Sequence, residues 1–269
     1  MAAGDRQVVS VFAYKEDGTP LLHDSNGIRI IADLGHAIGL GLISGAVSDV
    51  RHGYFSSAGV NIVSVRATTY TEPSSAQQMR FVSSSANDTA AGTGTRTVLL
   101  TYYDGNMNGP LTETVTLNGI TAVNTVATNI QFIEKIASVT VGSNGTNVGI
   151  ISLQNTGGGT TFASIAASDG QTFYAHHYVQ AGKKCFITRV CSGENGVSGG
   201  TFLRKALPLT ANSFEEQITS QLRTITGQPQ QIYDFDNLMV AGPARITMYA
   251  KPDAVTVGTV FGSIDFYEL

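Results

Sequence analysis

The sequence predicts an all-β protein, with two antiparallel β-sandwich or jelly-roll modules behind a partly extended N-terminal segment. Three observations carry this. Runs rich in Val, Ile, Leu, Thr and Tyr change character at every second residue, the period of a strand with one buried face. Clusters of Gly, Asn, Asp, Ser and Pro punctuate those runs at spacings of about 8–12 residues, as they do in sandwiches and jelly rolls. No heptad pattern is present, so no coiled-coil stalk is expected. The chain has 269 residues, 42% of them hydrophobic, and a net charge of −4, which is ample for a real core and argues against disorder.

Taken in order, Gln7–Tyr14 (QVVSVFAY) reads as a first strand and Lys15–Pro20 as a turn. Ala32–Val50 is apolar but broken by Gly35, Gly39, Gly41 and Gly45. Each Gly inside a helix costs about 1 kcal/mol relative to Ala, so an extended or irregular arm fits better than a long helix. Val8, Val9, Phe12, Ile38, Leu40, Leu42 and Ile43 are the candidate subunit-contact residues of this region. Asn61–Ala67 alternates and reads as a strand. Thr68–Gln78, with Pro73 and two serines, reads as a linker, which divides residues 1–72 from a module spanning 73–168.

That module centres on Phe81 to Val126. Thr95–Tyr103 and Leu111–Leu117 alternate, Asp104–Pro110 turns between them, and Asn118-Gly119 leads into Ile120–Val126. Asn-Gly between β-branched runs is a strong hairpin signal, so an antiparallel meander is expected. Ile130–Val141 fits helix or strand, and its SVTV end favours strand. Val148–Gln154 comes next as a strand and Asn155–Gly159 as a loop tip. A boundary near Ser168–Gln171 opens a second module, 169–269. Its expected strands are Thr172–Val179, Lys184–Cys191, Thr201–Leu207, Phe214–Thr224, Arg245–Ala250 and Thr259–Tyr267. Ser213–Gln221 also carries a capping-box spacing, but the β setting tips it to strand.

The runs SSSANDTAAGTGTRTV and TETVTLNGITAVNT, then GSNGTNVG (Gly142–Gly149) and VQAGKKCFITRV (Val179–Val190), resemble a family of tailed-bacteriophage virion structural proteins. The resemblance spans roughly Phe81 to Val190. It implies a non-enzymatic particle component and does not specify a position in the particle.

Composition narrows the rest. Charged residues are 13% of the chain, against a usual value of about 25%. The pI near 5.7 and the lack of any basic cluster beyond pairs such as Lys183-Lys184 exclude a nucleic-acid footprint. The opening MAAGDRQVV has no apolar core of a signal peptide, and no run reaches the 18 apolar residues of a membrane span. A soluble protein with no membrane partner is expected. Cys185 and Cys191, in one expected strand, would be roughly 20 Å apart and out of disulfide reach. They would share a face if the strand is regular.

Motifs for chemistry are sparse. Gly196–Gly200 satisfies G-x-S-x-G, but it lies between β-type runs and no His comes after it. His176 and His177 are adjacent, so on a strand they face opposite ways and do not chelate one metal; surface or interface positions are expected for them. Asp88, Asp104, Asp169, Asp234 and Asp236 fall in turn-like sequence, where Asp is a default residue. Glu113 lies on an apolar strand face, and Glu134 sits beside Lys135. No catalytic, cofactor or metal site is expected. The expected role is capsid decoration, through self-association as a trimer and contact with the major capsid protein, on particles built in the host cytoplasm. The alternative is a tail-fibre or baseplate adhesin for host glycans. For it, Tyr102, Tyr103, Asn106 and Asn108 are the candidate exposed loop contacts, with Ser192–Gly200 as a second loop. A hydrolase is the third reading.

Overall fold

The computed structural model describes residues 45–57, 63–66, 68, 70–195, 199–206, 214–217, 222–224, 231–252 and 258–269. Among these the chain is all-β, and no helix occurs. Strands β1 (Val47–Ser57) and β2 (Val63–Ser64) come first. Next are β3 (Met79–Ser83), β4 (Thr95–Asp104), β5 (Leu111–Thr116), β6 (Val123–Asn124), β7 (Ile130–Val141), β8 (Ile151–Asn155) and β9 (Thr161–Ile165). The rest are β10 (His176–Val179), β11 (Lys184–Asn195), β12 (Gly199–Ala206), β13 (Phe214–Gln217), β14 (Leu222–Thr224), β15 (Gln231–Ala241), β16 (Ala244–Pro252) and β17 (Gly258–Glu268). The proposed contact residues Val8, Val9, Phe12, Ile38, Leu40, Leu42 and Ile43 lie outside the described residues, as does the strand expected at Gln7–Tyr14.

Strands β3 to β9 form one sandwich-like unit, in which the sheet β5–β4–β7 faces the sheet β6–β3–β8–β9. Period-two alternation brings Met79 and Phe81, Val98 and Leu100, and Ile151 and Leu153 into one core, which Ile133 and Ile136 join across a register shift in β7. Burying each such side chain contributes about 1.5–3 kcal/mol. The hairpin β4–β5 is as the alternation predicts, but the third run does not continue the meander. Strand β6 pairs instead with β3 in the opposite sheet. The Asn118-Gly119 turn is present, with Gly119 at φ 61°, yet the Gly119 amide donates to Asp88 O and its carbonyl accepts from Ser83 N–H. Those two bonds draw the chain across the sandwich.

The Ser-Ser-Ala-Asn-Asp-Thr stretch is organised by Asp88, which is fully buried. Its carboxylate accepts from Ser83 Oγ (2.6 Å) and from the amides of Thr95 (2.9 Å), Val148 (2.9 Å) and Gly149 (2.8 Å). The turn before β4 is thereby tied to the loop before β8. Gly94 packs against this carboxylate with no room for a Cβ.

Strands β1, β2 and β10 to β17 form a second unit that is split in sequence. One sheet is β1–β17–β11–β15 and the other β10–β16–β12–β13, with β2 beside β16 and β14 beside β12. Strand β1 pairs antiparallel with β17 over its whole length, Val47 to Glu268 at one end and Ser57 to Gly258 at the other. Strands from residues 1–72 and from residues 169–269, read from the sequence as separate segments, therefore share one sheet and one core. The sandwich of β3 to β9 is an insertion within it. At the neck, Val65 N–H donates to Met248 O, Ala175 N–H to Val65 O and Met248 N–H to Ala175 O, while Arg66 bridges Tyr174. Gly53 of β1 lies on this crossing, where a Cβ would collide with the Val65 carbonyl and the Ala175 amide.

Three local expectations change. Residues Asp234–Asn237 lie within β15 rather than a turn, Asp234 pairing in register with Arg189. The expected turn Ser192–Gly200 shrinks, because β11 runs on to Asn195 and β12 begins at Gly199. Glycines 199 and 200 of the G-x-S-x-G match thus enter a strand and not a helix. Strand β11 has a bulge between Ile187 and Arg189. A bulge inserts an extra residue and reverses the facing of the residues beyond it. Cys185, Ile187 and then Val190 point into the core, and Cys191 falls outside that cluster, although both thiols are buried and free.

Candidate functional site

Where the inserted sandwich meets the split one, the sequence builds a buried charged junction. Strand β7 begins with five buried residues, because both its faces are covered. Ile130, Ile133 and Ile136 belong to its own core, while Phe132 packs with Tyr103 and Tyr178 between the units. Glu134 is the charged member of this run, with its side chain only 1% exposed. Strand β10 ends its sheet, and a bare strand edge must find partners for its amides and carbonyls. Glu134 and its neighbours supply them. Tyr178 N–H donates to Glu134 Oε2 (3.3 Å), Tyr103 Oη donates to Tyr178 O (3.0 Å), and His176 Nε2 is 3.1 Å from Glu134 O.

The ionic partners come from three other strands. Arg51 Nε of β1 donates to Glu134 Oε1 at 2.9 Å, and its Nη1 pairs with Asp49 at 2.6 Å. His177 Nδ1 of β10 is 2.8 Å from the same Glu134 oxygen, and its Nε2 is 2.8 Å from Glu268 Oε2 of β17. The imidazole stacks on Phe266, with ring centroids 4.2 Å apart and planes 29° apart. Burial disfavours charge on Glu134, yet His177 and Arg51 outweigh it and hold the carboxyl down at about 2. Burial likewise opposes a charged His177, but the Glu134 charge and the bonds to Glu134 and Glu268 raise it to about 8. His176 is pushed down to about 3 by burial and by Arg66 nearby, and is neutral at ordinary pH.

A second cluster flanks the first. Arg245 pairs with Glu72, and the Arg66 guanidinium lies 4.2 Å from the centroid of the Tyr70 ring. Tyr70 meets Phe132, Tyr174 and His176 edge-on. Tyr70 and Glu72, in the stretch expected as a linker, are therefore packed between the units. Ion pairs of this kind cost desolvation, so their net contribution is small, but losing one partner leaves an unpaired buried charge at about 3–5 kcal/mol.

The gap beside Arg51 and Glu134 has a volume of about 20 Å³, room for one water. Among the described residues, no group of three His, Cys, Asp or Glu is placed to hold a metal ion.

The proposed exposed contacts divide. Asn106 and Asn108 are exposed, on a loop ordered by Asp104, whose Oδ1 accepts both their amides (2.9 and 2.8 Å). Tyr102 and Tyr103 are not exposed: they are buried at 7% and 1%, Tyr102 in the inserted core and Tyr103 in the junction. The histidines expected at surface or interface positions are buried, because both lie on the covered strand β10 where the two units meet. Arg51, Glu134, His177 and Glu268 were not foreseen as a group. A signal was present, since IQFIEKI sets a carboxylate among apolar strand residues, where an unpaired charge is not tolerated.

Compared with protein-family models, with curated proteins and with solved structures, the chain finds no match in any of the three.

Proposed function

We propose that the chain is a non-enzymatic structural protein of a tailed-phage virion, placed on the capsid surface as a decoration protein. It self-associates, as a trimer, and binds the major capsid protein. The resemblance between Phe81 and Val190 supplies the class. The observation that best supports the reading is where the carboxylates are used. Asp88 gathers one hydroxyl and three amides. Glu113 accepts the amides of Val126 and Ala127 (2.6 and 3.0 Å), Asp169 accepts Tyr54 Oη (2.8 Å), and Glu134 ties two sandwiches together. Acid–base catalysis needs a carboxyl within reach of a substrate proton; these are committed to holding strands and loops in place. A rigid, low-charge β scaffold suits a shell component, where interfaces of about 800 Å² per partner gain strength by repetition over many copies.

The test is reconstitution. Heads lacking the chain are mixed with the purified protein, and binding and heat resistance are measured together. Saturation at a simple fraction of the coat subunits, with a raised temperature of DNA release, is the expected result. Failure to bind heads, with binding to tails or to host surface glycans instead, would replace this reading with the adhesin.

A further inference from the structure

We propose that His177 is a proton-gated clamp between the two sandwiches: doubly protonated, it holds Glu134 of the inserted unit and Glu268 of the split unit together, and on losing a proton it can hold only one. Both ring nitrogens lie 2.8 Å from carboxylate oxygens, on opposite sides of the ring. An ionised carboxylate only accepts, and a neutral imidazole has one N–H and one lone pair, so only the imidazolium donates to both. The ring has no freedom to choose otherwise, because it is stacked on Phe266 and 7% exposed.

Glu134 is itself fixed as an anion by Arg51 at 2.9 Å and by the Tyr178 amide at 3.3 Å. The remaining groups around the ring do not supply a competing proton. Arg51 of β1 has Asp49 on its other side. His176, next in the strand, is neutral. Cys185 of β11, in register with Glu268, has its thiol pushed up by burial and then by the two glutamates. Tyr103 of β4 is pushed up in the same way. Two cations, Arg51 and His177, thus meet three carboxylates, Asp49, Glu134 and Glu268; with His177 neutral, one cation meets three.

Of the shifted groups, His177 and Glu134 set the sign of the clamp's own pH dependence. His177 is more basic folded, about 8, than unfolded, 6.5. Its contribution is complete below pH 6.5 and is lost as pH rises through about 8. Glu134 is more acidic folded, about 2 against 4.5, so its contribution is complete above pH 4.5 and is lost as pH falls through about 2. The clamp is therefore fully set between pH 4.5 and 6.5 and loosens on the alkaline side first.

Nitrogen-15 NMR of the full chain labelled at histidine tests this. At pH 6 both His177 nitrogens should be protonated, and the ring should titrate near pH 8. Glu268→Gln should move that titration toward 6.5. The wild-type chain should lose resistance to denaturant between pH 6.5 and 9, and His177→Gln should not. A single neutral tautomer at pH 6, or the same pH profile in His177→Gln as in wild type, would overturn the proposal. If His177→Gln does not fold, the protonation state of the native ring decides alone.

Discussion

Asp88 shows how much one side chain can carry when the backbone is arranged around it. Four donors converge on its two oxygens, three of them amides from two separate stretches of chain. Asp88→Ala removes every one of those bonds and leaves the amides buried without partners. The expected loss is about 3 kcal/mol or more, read as a lower denaturant midpoint. A loss under about 1 kcal/mol would mean that the loops hold without it. From the sequence, Asp88 was an ordinary turn residue, and its turn is indeed local. What the sequence could not give is the loop at Val148–Gly149, about 60 residues on, whose amides complete the shell. The same limit hid Glu134, His177 and Glu268. Glu134 stands out among its apolar neighbours, but its partners do not, and only folding brings the three within hydrogen-bond distance.

At the scale of elements, alternation was a good guide wherever one face of a strand is buried and the other open. Strand β17 obeys it, and β4 does from Val98 to Tyr102. Alternation failed where both faces are covered or where a strand is too polar to stand out. Strand β15 (QIYDFDNLMVA) reads as loop because of its Asp and Asn residues, and β1 begins inside the Gly-rich stretch that ends at Val50. Pairing was harder still. Strand β1 is joined to β17 across some 200 residues of intervening chain, and nothing local encodes that register. Gly53 offers a way to test the crossing. It has no need of an unusual backbone angle, so the effect of a side chain there is collision alone. Gly53→Ala should cost about 2 kcal/mol or more by forcing β1 away from Val65 and Ala175. Thermal unfolding within error of wild type would show that the neck has slack.

For the whole molecule, the consequence of a split sandwich with an inserted one is mutual dependence. The outer unit is closed only when both β1 and β17 have been made, and the junction at Glu134 then fixes the insert against it. The all-β class was open to reading from periodicity and turn residues, because those are local properties. The insertion was not, because it depends on which strand finds which. The measurement that bears most directly on the proposed role is the copy number in purified virions, by quantitative mass spectrometry against the major coat protein. A ratio of one per coat subunit, or a simple fraction of it, is the predicted result. A handful of copies per particle would contradict a shell protein and place the chain in the tail.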